Sequence, residues 1–122
     1  MKKDNKIQII SKAFAIRIIH LYQYLCNEKK EFVLSKQILR SGTSIGANAR
    51  ESINAQSTVD FIYKLNLSLK ESNETEYWLE LLFETGYINE QLFQSLLSDN
   101  KEISATLVKI IKTTKEKMTS NP

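Results

Sequence analysis

Arg40-Ser41-Gly42-Thr43-Ser44-Ile45-Gly46-Ala47-Asn48 is almost free of side-chain bulk, yet it sits inside a stretch with the apolar spacing of a helix. Two glycines four apart each cost a helix about 1 kcal/mol relative to alanine. A helix retains them where another backbone comes close, or where it kinks. Close packing at Gly42 and Gly46 is the favoured reading. A second run, Lys70-Glu71-Ser72-Asn73-Glu74-Thr75-Glu76-Tyr77-Trp78-Leu79, places small polar residues on a helix face that ought to be apolar. The two runs suggest neighbouring helices in close contact, joined by buried polar groups.

Outward from these runs, apolar spacings of three and four predict four helices, over about 5–26, 35–56, 58–85 and 89–118. Their inward stripes start at Ile7, Ile38, Phe61 and Leu92, with Asp99 or Asn100 interrupting the last and Met118 ending it. Ser57-Thr58-Val59-Asp60 has the capping-box form. Gly86 suits the position just past a helix end, and Asn89 suits a cap. Of the chain's 3 Gly and 1 Pro, the Pro is the final residue, so little interrupts a helical reading. The chain has 122 residues, 42% hydrophobic and 25% charged, which fits one all-α domain. Short connections favour an up-down-up-down four-helix bundle.

Little points to catalysis. A di-iron bundle needs Glu-x-x-His pairs, and the one histidine, His20, has no acid three residues before it. Cys26 has no base near it in sequence and reads as a buried structural thiol. Ser41 to Gly46 lacks the Lys-Ser/Thr ending of a phosphate loop. No cofactor or metal motif is present. No apolar run reaches the roughly 18 residues of a membrane helix. The basic start does not read as a signal peptide, and a single cysteine fits a cytoplasmic setting.

Charge is uneven. Between residues 71 and 102, Glu71, Glu74, Glu76, Glu80, Glu84, Glu90, Asp99 and Glu102 oppose only Lys101; that segment carries −7, so the net +3 leaves +10 elsewhere. The bundle topology brings Lys2, Lys3, Lys6 and Lys12 to the same end as Lys109, Lys112, Lys115 and Lys117. Such a pole holds RNA or DNA phosphates without reading sequence. Lysines late in the fourth helix also complement its dipole, whereas those at the start of the first oppose it. Inside the bundle a charge must be paired. Arg50 with Glu71 or Glu74, beside Asn48, would form a polar network that either fixes helix register or lines a small-ligand or nucleic-acid pocket. Tyr77-Trp78 and surplus apolar positions such as Ile19, Ile62, Leu69, Phe83, Phe93 and Ile110 suggest self-association.

Ser41 to Asn48, with Glu51, Asp60-Phe61, Lys64, Lys70-Glu71, Glu74-Thr75 and Tyr77-Trp78-Leu79, resembles one bacterial family. It is the family of small four-helix bundles encoded in intervening sequences of large-subunit ribosomal RNA genes. The resemblance covers nearly the whole chain and implies a left-handed bundle and a homopentameric barrel. The accessory variability determinant of diversity-generating retroelements is distantly similar. That likeness implies nucleic-acid binding through a basic surface, or an adaptor role for a reverse transcriptase or RNA-processing enzyme. Ala49, Ser52 and Ser72 depart from the usual pattern but keep their positions small.

Overall fold

The computed structural model describes residues 5–120. Four helices follow one another: α1 Asn5–Asn27, α2 Leu34–Ser52, α3 Thr58–Glu84 and α4 Glu90–Ser120. Each packs against its sequence neighbours, and α1 closes the bundle against α4. The pairings are antiparallel: Gln8 meets Ala49 while Cys26 meets Ser35, and Glu51 meets Lys64 while Ser41 meets Thr75. This is the up-down-up-down bundle that the short connections predict.

One apolar cluster runs through all four helices. Ile7, Phe14, Ile18, Leu21 and Leu25 supply it from α1, and Leu96, Ile103, Leu107 and Ile111 from α4. The seam is wider than the stripes suggest. Ile62 and Phe93 are buried, and Leu69, Phe83 and Ile110 pack against the cluster, so most of the apolar surplus serves the core. Phe83 and Phe93 stack at 4.5 Å between α3 and α4. Met118 falls outside the seam, half-exposed on the last turns of α4.

The helix ends follow local chemistry. Glu31, outside α2, turns its carboxylate onto the free N–H groups of Val33, Leu34 and Ser35 at 3.1, 2.9 and 2.7 Å. Burial pushes this carboxyl up, but the N–H groups of Leu34, Ser35 and Val33 together outweigh it and hold it below its ordinary range. Ser57 Oγ accepts from Asp60 N, and the Asp60 carboxylate accepts from Gln56 N, one residue before the usual partner in a capping box. Asn89 Oδ1 accepts from Leu92 N. Gly86, at φ +86°, lets the N–H groups of Gly86 and Tyr87 close on the carbonyls of Phe83 and Leu82, the bond pattern of a Schellman end.

α2 stops at Ser52 rather than near Gln56. The Ser52 hydroxyl takes the Ala49 carbonyl, and Ile53, Asn54 and Ala55 donate three residues back to Arg50, Glu51 and Ser52. The tightened turn ends the helix and leaves a notch beside the start of α3.

Candidate functional site: the basic pole and the polar seam

The polar seam is real, with partners that differ in detail from the sequence reading. The glycines of α2 face α1, not α3. A Cβ at Gly42 would lie 2.8 Å from both Cγ1 and Cγ2 of Ile18, and one at Gly46 would lie 3.3 Å from Ser11 Oγ. The serines of α2 and α3 make the other contact. Ser68 Oγ donates to the Ile45 carbonyl at 2.7 Å, and the hydroxyls of Thr75 and Ser41 share a 2.8 Å hydrogen bond. α2 therefore offers glycine to one neighbour and hydroxyls to the other. Farther round, Ser72 Oγ donates to Asn100 Oδ1 at 2.8 Å, and Asn100 Nδ2 returns to the Ser72 carbonyl at 3.0 Å. The residue that interrupts the α4 stripe is thus buried and bonded to α3.

Arg50 is exposed and takes no part in this network. The cation that bridges Glu71 and Glu74 is Arg40, with Nη1 3.2 Å from Glu71 Oε2 and Nη2 on Glu74 Oε2. The reason is register. α2 and α3 fold back on a tight turn, so residues equally far from it stand opposite. Arg50 therefore lies beside the Glu51–Lys64 level and Arg40 at the level of Thr75. The signal was legible, because the short connection fixes this pairing. Asn48 Nδ2 donates to the Ser44 carbonyl within its own helix. Trp78 Nε1 donates to Glu74 Oε2 at 3.1 Å. This bond, ahead of Arg40, holds the Glu74 carboxyl below its ordinary range despite partial burial, while Glu71 and Glu74 raise the Arg40 guanidinium. The Arg40 side chain is 51% exposed. This cluster is a surface clasp between α2 and α3 rather than a cavity.

Lys6, Lys109 and Lys117 gather around a cleft where all four helices end or begin. Its volume is about 790 Å³, within the general range of ligand sites. Ile53, Phe61, Ile110 and Met118 supply apolar wall, Thr58 and Thr113 supply hydroxyls, and no described acidic residue lines it. Lys6 pairs with Glu102 at 3.5 Å across an exposed surface. Lys109 and Lys117 have no ion-pair partner among the described residues. Lys12, Lys112 and Lys115 are exposed but do not line the cleft. Lys2 and Lys3 lie outside the described residues. The cleft itself was not legible in the sequence, because it depends on where α2 stops.

His20 is exposed. Cys26 is half-buried rather than buried, its Sγ 3.7 Å from Ser35 Oγ. Among the described residues, no group of three or more His, Cys, Asp or Glu is placed to hold a metal. No described helix is long and apolar enough to cross a membrane.

The fold places the protein among small antiparallel four-helix bundles. The chain belongs to the family described as 23S rRNA-intervening sequence protein, whose model matches residues 3–109. Among solved structures it is similar to a protein of unknown function from the S23 ribosomal protein family of Bacteroides thetaiotaomicron. The two are 60% identical, with a TM-score of 0.89, covering 90% of this chain and 98% of that one. None of the curated proteins matches. Neither the family nor this structure is described as an enzyme.

Proposed function

We propose that this protein is a non-enzymatic, self-associating bundle that binds RNA or DNA through its lysine pole, without reading sequence, in the cytoplasm. The observation that carries the reading is the convergence of Lys6, Lys109 and Lys117 on one cleft that no described acidic residue lines, with Lys12, Lys112 and Lys115 exposed on the same two helices. Cations so placed release condensed counterions when they take phosphates. Self-association is supported by the outer face of α1. Ile9 and Ile16, two turns apart and opposite the buried stripe, are 67% and 47% exposed. The family resemblance points to a ring of five, which would repeat each lysine cluster around one face.

The test is fluorescence anisotropy with single- and double-stranded RNA and DNA across a salt series. Binding should weaken steeply with salt, with a log–log slope of about −0.9 per duplex phosphate contacted. Replacing Lys6, Lys109, Lys112 and Lys117 with Glu should abolish it while far-ultraviolet circular dichroism stays unchanged. Unchanged affinity would overturn the assignment.

A second reading, a protein scaffold or adaptor for a reverse transcriptase or RNA-processing enzyme, draws support from Tyr63 and Tyr77. Both are more than half exposed on acidic α3. A partner captured equally well after nuclease treatment, and lost in Tyr77→Ala, would favour it.

A further inference from the structure

A surface that only holds phosphates needs cations and no concavity. The pole has both, and the concavity is walled by the half-buried ring of Phe61 with Ile53, Ile110 and Met118. Water in such a space touches apolar carbon that an aromatic ligand would cover with gain. Among the described residues the lining holds cations and no carboxylate, and Lys109 and Lys117 have no ion-pair partner there, so the occupant that complements it carries negative charge beside a flat apolar body. A nucleotide has that composition. In a duplex, bases are stacked and paired inside, and only phosphates reach a protein surface of this kind. In a single strand the base faces are available, and stacking on an aromatic side chain is tolerant of sequence.

Resting on the nucleic-acid reading above, we infer that the cleft receives one unstacked base of a single-stranded nucleic acid. The base lies against Phe61 and Ile110, and its flanking phosphates lie on Lys6, Lys109 and Lys117. The hydroxyls of Thr58 and Thr113 stand at the wall as sequence-tolerant hydrogen-bonding groups. The protein is then a single-strand binder, and duplexes engage only its lysines.

The experiment compares three labelled probes at one low salt concentration: an oligouridine RNA of about 12 nucleotides, the same strand with abasic residues at alternate positions, and a duplex of equal length. The intact strand should bind about tenfold more tightly than the abasic one, the lower part of the range for a lost stacked base. In Phe61→Leu, which keeps apolar volume but removes the ring, that difference should vanish while duplex binding stays as in the wild type. Equal binding of intact and abasic strands by the wild-type protein overturns the inference and leaves the phosphate-binding reading standing. That comparison changes only the nucleic acid, so it decides even if Phe61→Leu folds poorly. No binding of any probe defeats the broader reading and this inference with it.

Discussion

Replacing Gly42 by alanine sets two effects of known sign against each other. Alanine favours an interior helical position over glycine by about 1 kcal/mol. The added Cβ would meet Ile18 Cγ1 and Cγ2 at 2.8 Å, closer than carbon atoms pack. Ile18 is fully buried and β-branched, and a helix leaves such a side chain one favoured χ1, so it has no free rotamer to retreat into. Overpacking of this kind costs about 1–3 kcal/mol, and the immobile neighbour argues for the upper half of that range. Gly42→Ala should therefore lose about 1–2 kcal/mol, the remainder after the propensity gain. Gly46→Ala meets Ser11 at 3.3–3.4 Å and should be close to neutral. Urea unfolding followed by circular dichroism, at two protein concentrations to separate assembly from folding, measures both. In an Ile18→Ala background both 2.8 Å contacts are gone and only the Cβ of residue 18, at 3.2 Å, remains, so Gly42→Ala should become stabilising by up to about 1 kcal/mol. A stabilised Gly42→Ala in the wild-type background, or the same loss in both backgrounds, would refute the close-contact argument.

Glu31→Gln should cost about 1 kcal/mol at neutral pH through the weakened cap of α2. Because the folded carboxyl titrates below its ordinary 4.5, the charged cap contributes fully above that value and is lost as pH falls through the lower folded pKa; urea midpoints of wild type and variant should converge in that acid range. Asn100→Ala removes both bonds to Ser72 in a buried site and should lose about 2–4 kcal/mol in the same assay. Arg40→Ala should lose about 1–2 kcal/mol, since Arg40 is half-exposed but its removal strips the cation from Glu71, whose side chain is only 17% exposed, and Arg50→Ala should change stability by less than about 0.5 kcal/mol. Ile16→Glu should reduce the assembly to monomer in sedimentation velocity without loss of helicity, and an unchanged mass would remove α1 from the proposed interface.

That the α4 lysines gather at one end of the bundle was legible, because end-of-helix charge and bundle topology are both linear properties of the chain, but which of them line the cleft was not. The buried serines and Thr75 were also legible, since small polar residues at helical spacing must be facing something. Two readings depended on register and rotation. Arg40 and Arg50 carry the same charge, and only distance from the α2–α3 turn tells which of them stands opposite Glu71 and Glu74. Gly42 and Gly46 face α1 while the serines face α3, because successive residues turn by about 100° around α2, and the two faces merge into one small-residue run along the sequence. Asn100 read as an interruption because a buried amide is expensive until its partner is known, and Ser72 lies 28 positions away in the chain.

By itself, the sequence determined four amphipathic helices, the caps of α3 and α4, the short turns that make the helices antiparallel and hence the basic pole. Those features come from periodicity, local hydrogen bonding and connection length, which act over a few residues. Tertiary structure decided which face of α2 meets α1, and that the pole is a cleft rather than a charged end. Each depends on how helices rotate and where they stop relative to one another, and that is fixed only when all four pack at once.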